Sequence, residues 1–289
     1  MVSKSFNRIL SFGQNMVLIG LIRIVLLLPY KWRGAVCGEI LSRLISPLAG
    51  YNRRIKKNLK LIYPDLSEQK VAYLMLQVPK NVGRTLIEVY SGTTFKNHVR
   101  NTQILGTGLP ALLAARQSGQ GVILVSGHFG NYDVPRAVLS NLGYPVACLY
   151  KPFRNVYFDR HYFDTIGKIA SPIFPATRNG LAQMVRHIKS GGLIGILVDQ
   201  HISHGTPLDF LGRSAKTALS AAEMALKYNC LLVPTYGVRH KNGNDFDLII
   251  EDPIPHSDAK SMTQALNDSL AAQVRANMDQ WFWIHNRWK

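Results

Sequence analysis

Two side chains in this chain have the chemistry and the spacing of a proton relay: His128 and Asp133, in the stretch Ser126-Gly127-His128-Phe129-Gly130-Asn131-Tyr132-Asp133. A neutral imidazole whose one nitrogen donates to a carboxylate keeps the other free as an acceptor, which is what a general base for a hydroxyl group requires. On a continuous helix, residues five apart point about 140° from one another. Pro135 clashes with a helical carbonyl four residues back, so the following helix, expected from about Tyr132 to Leu142, can hardly begin before Asn131. The turn through Phe129-Gly130-Asn131 can then fold the Asp133 carboxylate onto His128. The alternative is a surface histidine near a helix-capping acid. A strand end, two flanking glycines and a helix start together mark the place where α/β folds put ligands.

Other polar groups fall at the ends of predicted strands. Lys151-Pro152-Phe153-Arg154-Asn155 follows a strand over Pro145 to Tyr150, and Arg154 beside Asn155 offers fixed donors for a phosphate or a developing oxyanion, the alternative being a solvated helix start. Arg178-Asn179-Gly180 opens a helix, and helix N-termini attract anions. Asp199-Gln200 closes the strand Leu193 to Val198. The spacing Asp199-x-His201-x2-His204 also permits a metal site, against which stands the lack of a further ligand spaced to close it. Gly106-Thr107-Gly108 fails as a dinucleotide loop, because no convincing strand precedes it and no third glycine follows at the required spacing.

These groups need a scaffold, and the pattern supplies one. Val122 to Val125 is an unbroken aliphatic run, as expected of a strand covered on both faces. Beyond it come helices over Asn155 to Lys168, Gly180 to Ser190, Ala215 to Tyr228 and Met262 to Met278, and strands at Ile173-Phe174, Leu231 to Val238 and Phe246 to Glu251. Strands alternating with helices predict an α/β fold with a largely parallel sheet covered by helices on both faces. Upstream, helical periodicity occupies Lys31 to Gly50, Arg53 to Tyr63, a segment opened by the capping residues Ser67 to Lys70, and Asn81 to Tyr90.

The 289 residues suffice for one α/β unit, and no repeat or low-complexity stretch divides them. Lys and Arg number 34 against 17 acidic residues, a formal charge of +17, so the partner is expected to be anionic. Three scattered cysteines, Cys37, Cys148 and Cys230, point to buried thiols in a reducing compartment. Met16 to Pro29 is apolar apart from Gly20 and Arg23, yet shorter than the ~20 residues of a bilayer-spanning helix. Residues 1–30 are therefore expected to form a membrane-anchoring or deeply interfacial helix, with Lys31, Arg33 and Arg53-Arg54-Ile55-Lys56-Lys57 meeting anionic headgroups; the alternative is a buried core helix.

The block His128-Phe129-Gly130-Asn131-Tyr132-Asp133 resembles the H-x4-D/E motif of the glycerolipid acyltransferase superfamily, and within it the lipid A biosynthesis acyltransferases of the lauroyl/myristoyl type. Those usually read His-Phe-Gly-Asn-Trp-Glu; Tyr132 and Asp133 depart from that form. The resemblance continues in order through Asn58 to Leu66, Glu88, Lys151 to Asn155, Arg178 to Gly180, Asp199-Gln200, Phe210 to Ala215, Leu232-Val233-Pro234, and the ending Trp281-Phe282-Trp283-Ile284-His285-Asn286-Arg287. It implies a glycerolipid acyltransferase-like domain over residues 31–289, helical in 31–100 and α/β in 101–289. It further implies transfer of a fatty acyl chain from acyl carrier protein, or acyl-CoA, to a hydroxyl of a phosphorylated glycolipid, at the cytoplasmic face of a bacterial inner membrane, without metal or cofactor. His128 and Asp133 would be catalytic. Lys151, Arg154, Asn155, Arg178, Gly180, Asp199, Gln200, Asn131 and Arg213 would contact substrate. Acylation of a glycerophospholipid or another glycolipid is the nearest alternative; a metal-dependent hydrolase using His201 and His204 and a non-enzymatic basic protein bound to nucleic acid or membrane are more distant ones. No nucleic-acid recognition motif accompanies the charge.

Overall fold

Apolar runs become strands here because helices cover both sides of them. The computed structural model describes residues 2–153 and 155–289, with side chains in the first helix described at 12, 13, 15, 16 and from 18 onward. In chain order the elements are α1 (Val2–Leu26), α2 (Tyr30–Ile40), which continues through a π-helical stretch at Leu41–Ile45 into α3 (Ser46–Leu48), α4 (Tyr51–Ile62), α5 (Glu68–Tyr90), α6 (Thr93–His98), β1 (Gln103–Leu105), α7 (Leu109–Ser118) and β2 (Val122–Ser126). There follow α8 (Val134–Asn141), β3 (Val146–Tyr150), α9 (Val156–Gly167), β4 (Ile173–Pro175), α10 (Arg178–Lys189), β5 (Leu193–Leu197), β6 (Thr206–Phe210), β7 (Arg213–Thr217), α11 (Ser220–Tyr228), β8 (Leu231–Arg239), β9 (Phe246–Ile250) and α12 (Ala259–Ala276).

The main sheet has the order β1-β9-β8-β2-β5-β3-β4. Strands β8, β2, β5, β3 and β4 are mutually parallel, while β9 returns antiparallel to β8 and carries β1 alongside it. Every residue of β2 is buried. Its side chains alternate between two cores: Val122 and Leu124 join Val146 and Leu193 beneath α7 and α8, while Ile123 and Val125 join Ala147 and Ile194 beneath α10, α11 and α12. That double coverage is the expected largely parallel sheet with helices on both faces.

Two readings are corrected. A strand, β1, does precede Gly106; it is short and pairs at the sheet edge, so local sequence hardly marks it, and Gly106 and Gly108 close against the carbonyls of Ile250 and Glu251. Residues Ala215 to Thr217 are not helical. They pair with Thr206 to Leu208 in a hairpin whose two-residue turn, Leu211-Gly212, has positive φ at both positions (58° and 81°), the geometry that matches strand twist; α11 starts only at Ser220.

The N-terminal helices lie against the site. Helix α5 runs through Pro79 without ending and packs on α2 where Gly83 meets Gly38; a Cβ at Gly83 would stand 2.6 Å from the Cys37 carbonyl. The tryptophan-rich C-terminal segment is core: Trp281 and Trp283 are almost wholly buried, and Trp283 Nε1 donates to the Met278 carbonyl at 2.7 Å.

A buried ion pair ties these parts together. Glu88 on α5 receives both terminal nitrogens of the Arg239 guanidinium from β8, and also Asn131 Nδ2 at 2.8 Å. Arg239 Nε donates to Asn81 Oδ1, whose amide in turn reaches the carbonyls of Gly130 and Gln280. The turn after β2 is thus clamped from three directions. Removing one partner of such a pair strands a charge in the interior, so Glu88→Ala should cost about 3–5 kcal/mol of unfolding free energy in urea, with the double replacement Glu88→Met, Arg239→Met recovering much of it.

Candidate active site

His128 stands in the turn that follows β2. The turn accepts little but glycine at two points: Gly130 has φ +54° and lies against the Gly237 carbonyl, and a Cβ at Gly127 would come within 3.0 Å of Asp199 Oδ2. His128 Nδ1 lies 2.8 Å from Asp199 Oδ1, and the His128 backbone N–H donates to Asp199 Oδ2, also at 2.8 Å. Trp281 Nε1 donates to the same Oδ2 at 2.9 Å. Since a carboxylate only accepts, Nδ1 carries the proton and Nε2 is left as the acceptor, with the Gln200 amide 3.5 Å from it.

The carboxylate that meets the imidazole is therefore Asp199 and not Asp133. Asp199 ends β5, the parallel neighbour of β2, so sheet pairing sets the two side by side. Asp133 has another partner. Its N–H donates to Asn131 Oδ1, and its carboxylate forms a buried ion pair with Arg136, 2.5 Å away and three residues on, in the first turn of α8. Residues three apart on a helix start face each other, so Arg136 captures Asp133 locally before His128 can.

A cavity of about 690 Å³ opens at His128 and runs between the sheet and helices α8 and α9. That size is ordinary for a ligand pocket. Near the mouth are Tyr132, Lys151, Phe153 and Gln200; the inner wall is Leu124, Val146, Cys148, Ile166 and Gly195, with Asp133 and Arg136 along one side. Burial, and after it the Asp133 charge, push the Tyr132 hydroxyl upward, so it stays a donor.

Of the residues expected to contact substrate, Lys151, Asp199 and Gln200 cluster at His128 or line this cavity. Asn131 is wholly buried and holds the turn through Glu88. Asn155 caps α9, its Oδ1 accepting from Tyr157 N and Phe158 N. Gly180 is closed against the Pro175 carbonyl with its N–H on Thr177 Oγ1, and neither it nor Arg178 lines the cavity, although Ala176 does. Arg213 opens the exposed hairpin strand β7. Arg154 lies outside the described residues. His201 donates its N–H to His285 Nε2, and among the described residues no three His, Cys, Asp or Glu side chains converge to hold a metal ion. Sequence reasoning missed Arg136 and Trp281 as supports; the first had a signal in its three-residue spacing from Asp133, the second none short of the fold.

Comparison with known proteins finds relatives along nearly the whole chain. A family model described as bacterial lipid A biosynthesis acyltransferase matches residues 3–289. The chain is similar to the lipid A biosynthesis lauroyltransferase of Escherichia coli (strain K12), 24% identical over 283 residues that cover 94% of this chain and 90% of that protein. A lipid A biosynthesis acyltransferase of Haemophilus influenzae is 21% identical over 89% of this chain and 81% of its own. A phosphatidylinositol mannoside acyltransferase of Mycobacterium tuberculosis is 23% identical over 74% of this chain and 70% of its own.

Burial alone would lower the pKa of His128, but the charge and hydrogen bond of Asp199 outweigh it, and the imidazole is raised above its ordinary 6.5. Asp199, which burial by itself would raise, is held down to about 2 by the His128 charge and by hydrogen bonds from His128 and Trp281. A base must be neutral to act, so turnover should fall as pH drops through a value above 6.5. Asp199→Asn removes the raising influence and leaves burial, so the acid limb should move to lower pH while kcat falls by about 10²- to 10⁴-fold. In Asp133→Asn the acid limb should stay near the wild-type position, because the imidazole keeps its carboxylate. A pH–rate profile of both variants distinguishes the two acids.

Proposed function

The chain belongs to the bacterial lipid A biosynthesis acyltransferase family and is an O-acyltransferase, and from that premise we propose that it moves a fatty acyl chain from acyl carrier protein to a hydroxyl of a phosphorylated glycolipid in lipid A biosynthesis. The observation that carries this reading is the His128–Asp199 pair at the mouth of a largely apolar cavity. His128 Nε2 takes the proton of the acceptor hydroxyl as its oxygen attacks the thioester carbonyl, and Asp199 stabilises the imidazolium that forms. The tetrahedral intermediate then collapses, the carbon–sulfur bond breaks, and the departing thiolate recovers the proton from His128. The acyl chain occupies the cavity. Lys151 at its mouth supplies positive charge for the oxyanion.

The charge of +17 suits a donor protein, an acceptor phosphate and a membrane that are all acidic. The phosphatidylinositol mannoside acyltransferase among the relatives favours a second reading of the acceptor as another phosphate-bearing glycolipid. No helix among the described residues is long and apolar enough to cross a membrane. Exposed Phe12, Met16, Leu21 and Ile24 on α1, together with Trp32, Leu44 and Leu48, favour residues 1–30 as an interfacial segment that seats the catalytic unit, residues 31–289, on the cytoplasmic face of the inner membrane.

His128→Ala should lower acyl transfer from acyl carrier protein to the glycolipid precursor by about 10²- to 10⁴-fold with the circular dichroism spectrum unchanged; activity within tenfold of wild type would remove His128 as the base. Deleting residues 1–29 should abolish flotation with anionic vesicles. High salt should not release the intact chain, because buried apolar attachment is not screened as electrostatic attachment is.

A further inference from the structure

A glycine inside a central strand weakens it, since it leaves a gap in the side-chain layer and loses more entropy on folding than any other residue. Gly195 is such a residue. It sits at the middle of β5, between β2 and β3, level with Leu124 on one side and Cys148 on the other. Other glycines near the site have steric reasons to lack a side chain: Gly127 faces Leu270, Gly180 the Pro175 carbonyl, and Gly237 the Asn131 carbonyl. At Gly195 a Cβ would meet nothing closer than 3.8 Å, and the atoms at that distance, Ala147 O, Val146 Cγ1 and Arg136 Cδ, are in ordinary contact range. Packing does not forbid a side chain there. What a side chain would occupy is the cavity that Gly195 lines.

We propose that Gly195 is the residue that sets how long an acyl chain this enzyme accepts, by leaving the inner cavity open beside β5. This rests on the acyl-transfer reading of the His128 site. Leu124, the register partner of Gly195, lies four residues before His128, about 13 Å at ~3.3 Å per residue. With C–C bonds of ~1.5 Å an extended alkyl chain advances ~1.3 Å per carbon, so Gly195 meets it roughly ten carbons from the reacting carbonyl. The cavity continues past that level to Val146, whose partner Leu193 is two residues below Gly195 on β5. The accepted chain is therefore longer than about ten carbons, and its distal part passes between Gly195, Val146 and the methylenes of Arg136. A side chain at 195 stops it there, and each methylene turned away forfeits about fourfold in binding.

The test is kcat/KM for wild type, Gly195→Ala and Gly195→Val across a ladder of saturated acyl carrier protein thioesters, each two carbons longer than the last. The expected result is an optimum that steps to shorter chains in the order wild type, Ala, Val, with the short-to-long preference of the Val variant rising at least about tenfold. The alanine variant adds one methyl group into open space and carries the test if the valine variant does not fold. An unchanged profile, or an equal fall at every chain length, overturns the proposal. Binding of free saturated fatty acids to the same proteins, measured by calorimetry, gives the length dependence without turnover. If the wild type transfers no acyl group yet the variants shift fatty-acid length, the reaction assigned above fails and the role of Gly195 stands. If transfer is present and neither profile moves, the role of Gly195 fails alone.

Discussion

The site is built around keeping one carboxylate charged inside the protein. Asp199 is almost fully buried, and an isolated carboxylate taken out of water costs several kcal/mol unless hydrogen-bonded and paired. It accepts from the His128 backbone, the His128 ring and the Trp281 indole, so two segments distant from it in sequence must converge on its two oxygen atoms. That requirement explains why the C-terminal segment is core. Phe282 N donates to the His128 carbonyl, Phe129 bridges to Trp281, and Arg287 reaches the carbonyl of Lys216 and the hydroxyl of Thr217, closing the loop after Asp199.

Two further buried ion pairs flank the same turn and do different work. Glu88–Arg239 anchors Asn131 and, through Asn81, Gly130, fixing the backbone path that presents His128. Asp133–Arg136 forms a side of the cavity, with Arg136 also reaching the carbonyls of Val146 and Ala170. The acid nearest His128 in sequence is thus spent on the wall, while the acid on the neighbouring strand orients the base. A charged pair in an otherwise apolar cavity is tolerated because each member is hydrogen-bonded by the other and by backbone.

The surface complements this interior. Helices α1 and α2, with the stretch that follows α2, present Met16, Leu21, Ile24, Trp32, Leu44 and Leu48 outward, and the basic run Arg53 to Lys57 lies in α4 just beyond. Helix α1 contacts α9, which together with α8 encloses the cavity, and Phe12 stacks edge-on against Tyr157. The apolar outer face and the cavity wall are thereby parts of one helical layer.

By itself the sequence determined the alternating strands and helices, the unbroken apolar run of β2, the placement of His128 in a turn by Pro135 and its glycines, and the order of family motifs, because these depend on local periodicity and backbone restrictions. The edge strand β1 and the hairpin β6–β7 escaped it, being short and held by pairing with distant strands. It also named Asp199 and Gln200 as site residues but assigned the imidazole to Asp133, since spacing along the chain reveals only local partners. Which carboxylate reaches His128 was decided by the parallel pairing of β2 with β5, which sets the ends of two strands side by side although 71 positions separate the residues. The same is true of the open space at Gly195: whether a missing side chain is a cavity or a close contact depends on what the other strands and helices bring opposite it.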